Sequence, residues 1–247
     1  MHSAAPLFFG WEETMIKTCL QGHMGQVQTD GRNPPESALC AVGDFCFLAG
    51  APNPDLLRQG IRPILVPRTP EWGKVIQAVF GPRARPFFRY AMRKEPETFR
   101  PAQLAAYAAA LPEGVTLSPL LLEHYPTLMD QNWSKDLCGN FLNGPDFVQR
   151  GLGVIALRDG TPVAGAASYT IYTGGIEIEI DTRPDQRRQG LALACGARLI
   201  LECMERRLYP SWDAHNLRSV ALAGKLGYRV SHPYTAYLVD HPWSTEL

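Results

Sequence analysis

Apolar and acidic residues alternate along one short stretch in the second half of the chain. From Ile176 to Thr182 the isoleucines occupy every second position, and acidic residues lie between them. A period of two predicts a β-strand with two chemically different faces. A polar segment containing Pro184 follows, and Leu191 to Arg206 then repeats apolar residues with the period of a helix. The pattern therefore predicts a strand, a short loop and a long helix in direct succession.

The remaining pattern predicts a mixed α/β protein with an N-terminal domain at 1–112 and a second domain at 113–247. The boundary lies at Pro112-Glu113-Gly114, a helix stop followed by a turn. In the first domain strands are predicted at 25–29, 37–42, 45–49, 61–66 and 87–92, and helices at 11–20, 70–80 and 101–111. In the second, strands are predicted at 115–118, 153–157, 163–172, 176–182, 209–214, 228–230 and 235–239, and helices at 119–129, 145–151, 191–206 and 216–226.

Composition narrows the classes of function. With 24 basic and 24 acidic residues the formal net charge is zero, so the chain lacks the basic field of a nucleic-acid-binding protein. No apolar run reaches the roughly 20 residues of a membrane span, and the N-terminus lacks the basic and apolar regions of a signal peptide. The six cysteines form no Cys-x-x-Cys pair and no Cys/His cluster with zinc spacing. We therefore expect buried, reduced thiols in a cytoplasmic protein that holds no metal.

The loop between the predicted strand and helix has the chemistry of an anion site. The first N–H groups of a helix lack intrahelical partners, and the helix dipole is positive at that end. Arg187 and Arg188 add positive charge, and Gly190 lets the backbone approach a ligand that a side chain would hold off. Neither Gly-x4-Gly-Lys-Ser/Thr nor Gly-x-Gly-x-x-Gly occurs at this loop, which excludes a P-loop and a dinucleotide fingerprint.

Two motifs together resemble those of the GNAT N-acetyltransferase superfamily. The first, Arg187-x-x-Gly190-x-Ala192, is similar to the family's pyrophosphate loop, Arg/Gln-x-x-Gly-x-Gly/Ala. The second resembles the family segment in which an asparagine starts a helix that ends in Leu-Gly-Phe/Tyr; here it reads Asn216-x-x-Ser219-x-x-Leu222-x-x-Lys225-Leu226-Gly227-Tyr228. The order of elements also matches, so the resemblance covers about residues 115–240.

A narrower resemblance links the chain to the two-domain GNAT group that includes the zwittermicin A resistance acetyltransferase. It rests on the strand that ends at Thr182, on Tyr209-Pro210-x-Trp212-Asp213-Ala214-x-Asn216, and on Pro35-x-Ser37-Ala38 in the first half. The resemblance implies an α/β (α+β) GNAT acyl-CoA N-acyltransferase fold, with a mixed central sheet flanked by helices. A smaller, degenerate GNAT-like α/β domain is expected to precede it and to help wall the substrate site.

The resemblance also implies acetyl-CoA as the cosubstrate. The pantetheine arm is expected to pair with Ile180-Asp181-Thr182 like an additional strand. The pyrophosphate is expected beside Arg187, on backbone amides of the loop and the first helical turn, namely those of Arg188, Gln189, Gly190, Leu191, Ala192 and Leu193. Asn216 matches the asparagine that commonly contacts the cofactor, and a plain helix N-cap is the alternative.

Acetyl transfer requires a neutral amine, so a carboxylate must take a proton directly or through water. The candidates are Glu177 and Glu179 on the alternating strand and Asp213 on the predicted neighbouring strand. For the two glutamates, the solvated face of a strand is the alternative, and Glu179 and Asp213 could instead bind the substrate's ammonium. Family members usually carry this acid at positions matching Ile176 or Ile178, so the glutamates are out of phase unless a bulge shifts the register.

The usual acid that protonates the leaving thiolate is missing, because Ala223 occupies the position of the family's tyrosine. Tyr228, Tyr234 and Tyr237 are candidate replacements, with a packed aromatic as the alternative for each. The leading interpretation is an acetyl-CoA-dependent N-acetyltransferase that acts by direct attack in a ternary complex on a small-molecule amine, such as an antibiotic or metabolite. A protein or peptide N-acetyltransferase and a catalytically silent CoA-binding sensor are the alternatives. The oligomeric state stays open, with a homodimer as one option.

Overall fold

A computed structural model describes residues 2–58 and 62–239 of the chain. The chain folds as two compact units. The first unit comprises the chain up to Arg89 together with the C-terminal segment that begins at Pro233. The second unit comprises Tyr90–His232. The boundary suggested at residue 112 lies inside the second unit, because Phe99 and Leu104 are buried in that unit's core.

Both units contain helices and strands. The helices are α1 (Thr14–Leu20), α2 (Pro70–Phe80), α3 (Pro101–Ala109), α4 (Tyr125–Met129), α5 (Gly144–Arg150), α6 (Leu191–Glu205) and α7 (Leu217–Leu226). The strands are β1 (Gln26–Thr29), β2 (Ser37–Val42), β3 (Phe45–Gly50), β4 (Ile64–Pro67), β5 (Ala84–Met92), β6 (Val115–Pro119), β7 (Gly153–Arg158), β8 (Thr161–Tyr172), β9 (Gly175–Thr182), β10 (Tyr209–Ser211), β11 (Asp213–Ala214) and β12 (Val230–Val239). Strands β5 and β12 each contribute residues to both units.

The first unit is built on an apolar hairpin. Strands β2 and β3 pair from Ser37 opposite Gly50 to Val42 opposite Phe45, which is the predicted hairpin. All but one of their residues are buried, and strands covered on both faces show apolar runs in place of alternation. Strand β1 pairs with β2, β3 pairs in parallel with β4, and β4 pairs with β12.

The second unit contains a five-stranded sheet in the order β10-β9-β8-β7-β6. The pairs from β6 to β9 are antiparallel, and β10 is parallel to β9. The apolar side of α6 packs on this sheet, with Leu191, Cys195 and Leu199 in one buried core with Ile176 and Ile178. This core places the N-terminus of α6 directly after the loop that leaves β9.

The predicted elements differ most from the structure at three places. The helix predicted at 119–129 is only the short α4, because Pro119 still pairs with Val154 in the sheet and Pro126 opens the helix. In place of the two strands predicted at 228–230 and 235–239 there is one continuous strand, β12, which begins only at Val230. The strand predicted at 209–214 is two short strands, since the chain leaves the five-stranded sheet at Trp212 and β11 pairs with β5.

Candidate active site

Strand β9 presents its isoleucines and its acids to opposite sides of the sheet. Ile176 and Ile178 are 2% and 4% exposed in the core beneath α6. Ile180 also reaches α6, since a Cβ added at Gly196 would lie 2.9 Å from its Cδ1 atom. Glu177 and Glu179 therefore point away from α6. The positions at which the family usually carries an acid are filled here by core isoleucines.

The acidic side of β9 is partly enclosed. Glu177 is 3% exposed, whereas Glu179 and Asp181 are half-buried. The pKa of Asp181 is raised from 3.8 to about 6, first by burial and then by the nearby carboxylate of Asp136, against the opposing effect of Arg187. Asp136 belongs to the turn Lys135–Leu137, which contacts both β8 and β9. The structure thus gathers three acids on one face of β9 and a fourth close to its end.

A bulge interrupts the pairing of β8 with β9 on this face. Ser168 pairs with Ile178 and Thr170 pairs with Glu177, so Tyr169 is the additional residue. The bulge therefore lies on β8, and β9 keeps a regular alternation. Only a bulge on β9 would shift the glutamates into the usual phase of the family, and β9 contains none.

The edge of β9 opens beyond Glu177. Strand β10 pairs with β9 at only three positions, the last being Ser211 beside Glu177. Continued pairing would place Asp213 beside Glu179, but Asp213 pairs with Ala91 of β5 instead. Within the described part of the chain, Ile178 to Thr182 thus have no strand partner on this side. Asp213, a predicted catalytic residue, is 8% exposed and belongs to a different ladder from the two glutamates.

The loop after β9 turns through a short 3-10 segment, Pro184–Gln186. Arg183 forms an ion pair with Asp185, with 2.7 Å between Nε and Oδ1, which lowers the pKa of Asp185 to about 2. The Arg187 Nε–H donates to the carbonyl of Thr182 at 3.3 Å. Arg188 has a positive φ of 63°. These contacts fold the loop back on the end of β9.

Gly190 stands at the N-terminus of α6 with a φ of 83°, a conformation that L side chains rarely adopt. No atom lies within 4 Å of a Cβ added there, so the space in front of the helix is open. No side chain caps the helix, which leaves its first amide N–H groups available to an external acceptor. Among the described residues, Arg187 and Arg188 form no ion pair, and both are exposed. This is a positively charged cradle for an anion.

Sequence reasoning missed one residue at this loop. The guanidinium of Arg158, at the end of β7, donates through Nη2 to Oε1 of Gln189 at 2.8 Å. Arg158 thereby adds a third cation beside the loop and fixes the side chain of Gln189. No local signal marks this role, because it depends on the order of strands in the sheet.

Asn216 is the N-cap of α7. Its Oδ1 accepts hydrogen bonds from the amides of Arg218 at 2.9 Å and Ser219 at 3.1 Å. The N-cap interpretation is therefore confirmed. Its side-chain NH2 group is not used by the cap, so a second contact to the cofactor stays a prediction.

Tyr228 is a packed aromatic residue. It is 5% exposed and lies edge-on to the rings of Phe99 and Trp212. Its hydroxyl donates to the carbonyl of Pro210 at 2.7 Å, and burial raises its pKa well above the ordinary value. Ala223, where the family's tyrosine is expected, is fully buried. In the first unit, the Tyr237 hydroxyl lies against Gly73 of α2.

The remaining side chains bear on the expectations about metals and thiols. All six cysteines are buried free thiols, as predicted. Within residues 2–58 and 62–239, no group of three or more His, Cys, Asp or Glu side chains is arranged to hold a metal ion. None of the helices in this part of the chain is long and apolar enough to cross a membrane.

Solved structures of known proteins are similar to this chain in fold. The chain is 45% identical to a GCN5-related N-acetyltransferase-like protein from Streptococcus suis 89/1591, whose crystal structure superposes with a TM-score of 0.93 over 96% of this chain and 97% of that one. A GCN5-related N-acetyltransferase from Kribbella flavida shares the fold at 18% identity, with a TM-score of 0.55 over 94% and 98% of the two chains. These structures confirm the predicted fold class.

A curated relative and a family model extend the comparison to sequence. The chain is 26% identical over 171 residues to an uncharacterized N-acetyltransferase of Bacillus subtilis (strain 168), YdfB. That match spans 67% of this chain and 62% of the relative. The model of a family described as GNAT acetyltransferase matches residues 5–237. The chain therefore belongs to the GNAT acetyltransferase family, whose members are acyltransferases.

Proposed function

We propose that this protein is an N-acetyltransferase that moves an acetyl group from acetyl-CoA to the primary amine of a small molecule. The observation that carries the proposal is the open edge of β9, which leads directly into the cradle at Gly190. An extended ligand can pair with such an edge as an additional strand, and an anion at its end then meets free helix amides. One ligand that combines an extended amide arm with a pyrophosphate is CoA.

The residues present fit this ligand. The backbone of Ile180, Asp181 and Thr182 faces the open edge and would pair with the pantetheine arm. The pyrophosphate would be held beside Arg187, by the amides of Arg188, Gln189, Gly190, Leu191, Ala192 and Leu193. The positive φ of Gly190 and the empty space beyond it are what a close backbone approach requires. Bound in this way, acetyl-CoA would supply an activated acyl thioester.

The carboxylates of β9 would act on the acceptor. An ammonium has no lone pair, so the amine must lose a proton before it attacks. Glu177 belongs to the last pair between β9 and β10, and Glu179 follows on the same face. Both stand where the strands part, whereas Asp213 is held in a different ladder. We therefore favour the two glutamates over Asp213 as the groups that accept the proton or hold the ammonium.

No tyrosine is needed to complete the reaction. The Tyr228 hydroxyl is committed to the Pro210 carbonyl, and Ala223 offers no acid. A thiolate is a tolerable leaving group, since free thiols ionise near pH 8.5. The proposal is therefore direct attack in a ternary complex, with solvent protonating the thiolate.

The test is the release of free thiol from acetyl-CoA, measured with a panel of small amines and of peptides. Turnover with small amines supports the proposal. Turnover only with peptide N-termini or lysines would assign the protein to peptide modification, and tight CoA binding without thiol release would indicate a sensor. Glu179→Gln and Glu177→Gln should lower kcat more than acetyl-CoA affinity. An unchanged pH–rate profile in either variant would remove that residue as the base.

The cellular setting is the last part of the proposal. Buried free cysteines are typical of the reducing cytoplasm, and the resemblance to the zwittermicin A resistance group favours an antibiotic or metabolite amine as the acceptor. The same resemblance leaves a homodimer open. Mass measurement in solution and a search for acetylated small molecules in cells would test these points.

A further inference from the structure

The bulge on β8 determines which side chain faces Glu177. Pairing is regular from Ala164 to Ser168, and a continued ladder would place Tyr169 opposite Glu177. The additional residue puts Thr170 there instead. A bulge of one residue exchanges the faces of all later side chains and is a recognised way to re-aim a side chain near an active site.

Asn140 holds the bulge in place. Its Nδ2 group donates to the carbonyl of Tyr169 at 3.1 Å. Asn140 follows the turn Lys135–Leu137, which contacts β8 and β9. The bulge is therefore fixed by a specific contact from the segment next to the acidic face, and is not simply a weak point in the ladder.

The hydroxyl of Thr170 is buried and unsatisfied. Thr170 is 0% exposed, and no hydrogen-bond partner of its Oγ1 exists among the described residues. A buried hydroxyl without a hydrogen-bond partner destabilises the folded protein. Valine would keep the β-branched shape that a strand favours and avoid that cost. The hydroxyl therefore indicates a polar occupant beside it.

Thr170 and Glu177 would share that occupant. Residues directly opposite in an antiparallel pair lie on the same face, with their Cβ atoms about 4.5–5.5 Å apart. Glu177 is 3% exposed on this face. The gap between a hydroxyl and a carboxylate at this spacing suits one water molecule, which needs two or more polar partners in a buried site.

We propose that Thr170 is a positioning residue, whose hydroxyl and the carboxylate of Glu177 together hold the water that takes the proton from the acceptor amine. The proposal rests on the acetyltransferase function proposed above. The N–H bond of the ammonium breaks, the proton passes to the water, and the water gives one of its own protons to Glu177. The amine keeps the freed electron pair, which then forms the bond to the acetyl carbon. The Thr170 hydroxyl is unchanged at the end.

Thr170→Val, Thr170→Ser and the control Thr161→Val test this role. Thr161 begins the same strand but is exposed. At pH 7 we expect Thr170→Val to lower kcat at least tenfold, with unchanged acetyl-CoA affinity and a melting temperature no lower than wild type. The loss should shrink as the pH rises toward the pKa of the amine, because free amine needs no base. Thr170→Ser should restore most of the activity, and Thr161→Val should behave as wild type.

Two results would overturn the role of Thr170. One is wild-type kcat in Thr170→Val at every pH. The other is a loss that is the same at every pH and is not restored by serine, which would indicate a packing defect. Failure of the wild-type protein to release thiol with any amine is a different result, since it would overturn the proposed function itself.

Discussion

The protonation of Asp181 makes the free energy of unfolding depend on pH. Burial and Asp136 raise its pKa from 3.8 to about 6, so the folded protein binds this proton more tightly than the unfolded chain does. Stability linked to Asp181 is therefore fully present below about pH 4, falls as the pH rises toward 6, and stays low above it. Asparagine at this position carries no charge, so the Asp181→Asn variant should not lose stability as the pH rises.

The size of the effect follows from the same pKa values. The gap between 3.8 and about 6, at roughly 1.36 kcal/mol per pKa unit, corresponds to about 3 kcal/mol. Because Asp181 keeps partial contact with solvent, we expect Asp181→Asn to be more stable than wild type by about 1–3 kcal/mol at pH 7.5. The difference should vanish near pH 4.

Urea denaturation of both proteins between pH 4 and pH 7.5 measures this difference directly. Asp185→Asn is the matched control. Its carboxyl is exposed and its pKa is lowered to about 2 by Arg183, so that variant should gain no stability at pH 7.5. An Asp181→Asn variant that is no more stable than wild type at pH 7.5, or whose gain is the same at every pH, would refute the reasoning.

Three further substitutions separate structural from chemical roles. Asn216→Ala should lose about 1 kcal/mol of stability with the cap, whereas Asn216→Ser should keep it. If the Asn216 amide also contacts the cofactor, the serine variant should bind acetyl-CoA more weakly in calorimetry, and equal affinity would assign Asn216 to capping alone. Tyr228→Phe should lose about 1–3 kcal/mol in urea denaturation, because it leaves the buried Pro210 carbonyl without its donor. Its kcat should stay near wild type, and a fall beyond tenfold with unchanged acetyl-CoA affinity would make Tyr228 a chemical participant.

The strand, loop and helix that form the proposed cofactor site were predictable because their signals are local. Alternation from Ile176 to Thr182 predicts the strand and both of its faces, and the structure shows that the isoleucines are buried against α6. Gly190 likewise lies directly before α6 with open space around it, as a close backbone approach requires. These features depend on neighbours in sequence, which periodicity and residue type report well.

The features that the sequence did not reveal depend on pairing between distant segments. After Trp212 the chain pairs with β5 and no longer with β9. An apolar strand pattern does not specify which strand will be the partner. The bulge at Tyr169 is fixed by Asn140, from a segment with no periodic pattern. The sequence indicated a role for the backbone of Asp181 but not for its side chain. The raised pKa of that side chain depends on burial and on Asp136, which is distant in the sequence.

Binding of acetyl-CoA at the Gly190 cradle is the step on which the proposed function depends most. Calorimetric titration of acetyl-CoA into wild type, Gly190→Glu and Gly174→Glu tests it most directly. Both glycines have positive φ and open space around an added Cβ, so both variants carry similar strain, but Gly174 precedes β9 at the end away from the loop. We expect at least tenfold weaker binding, about 1.4 kcal/mol, for Gly190→Glu alone. Wild-type affinity in a folded Gly190→Glu, or an equal loss in both variants, would contradict it.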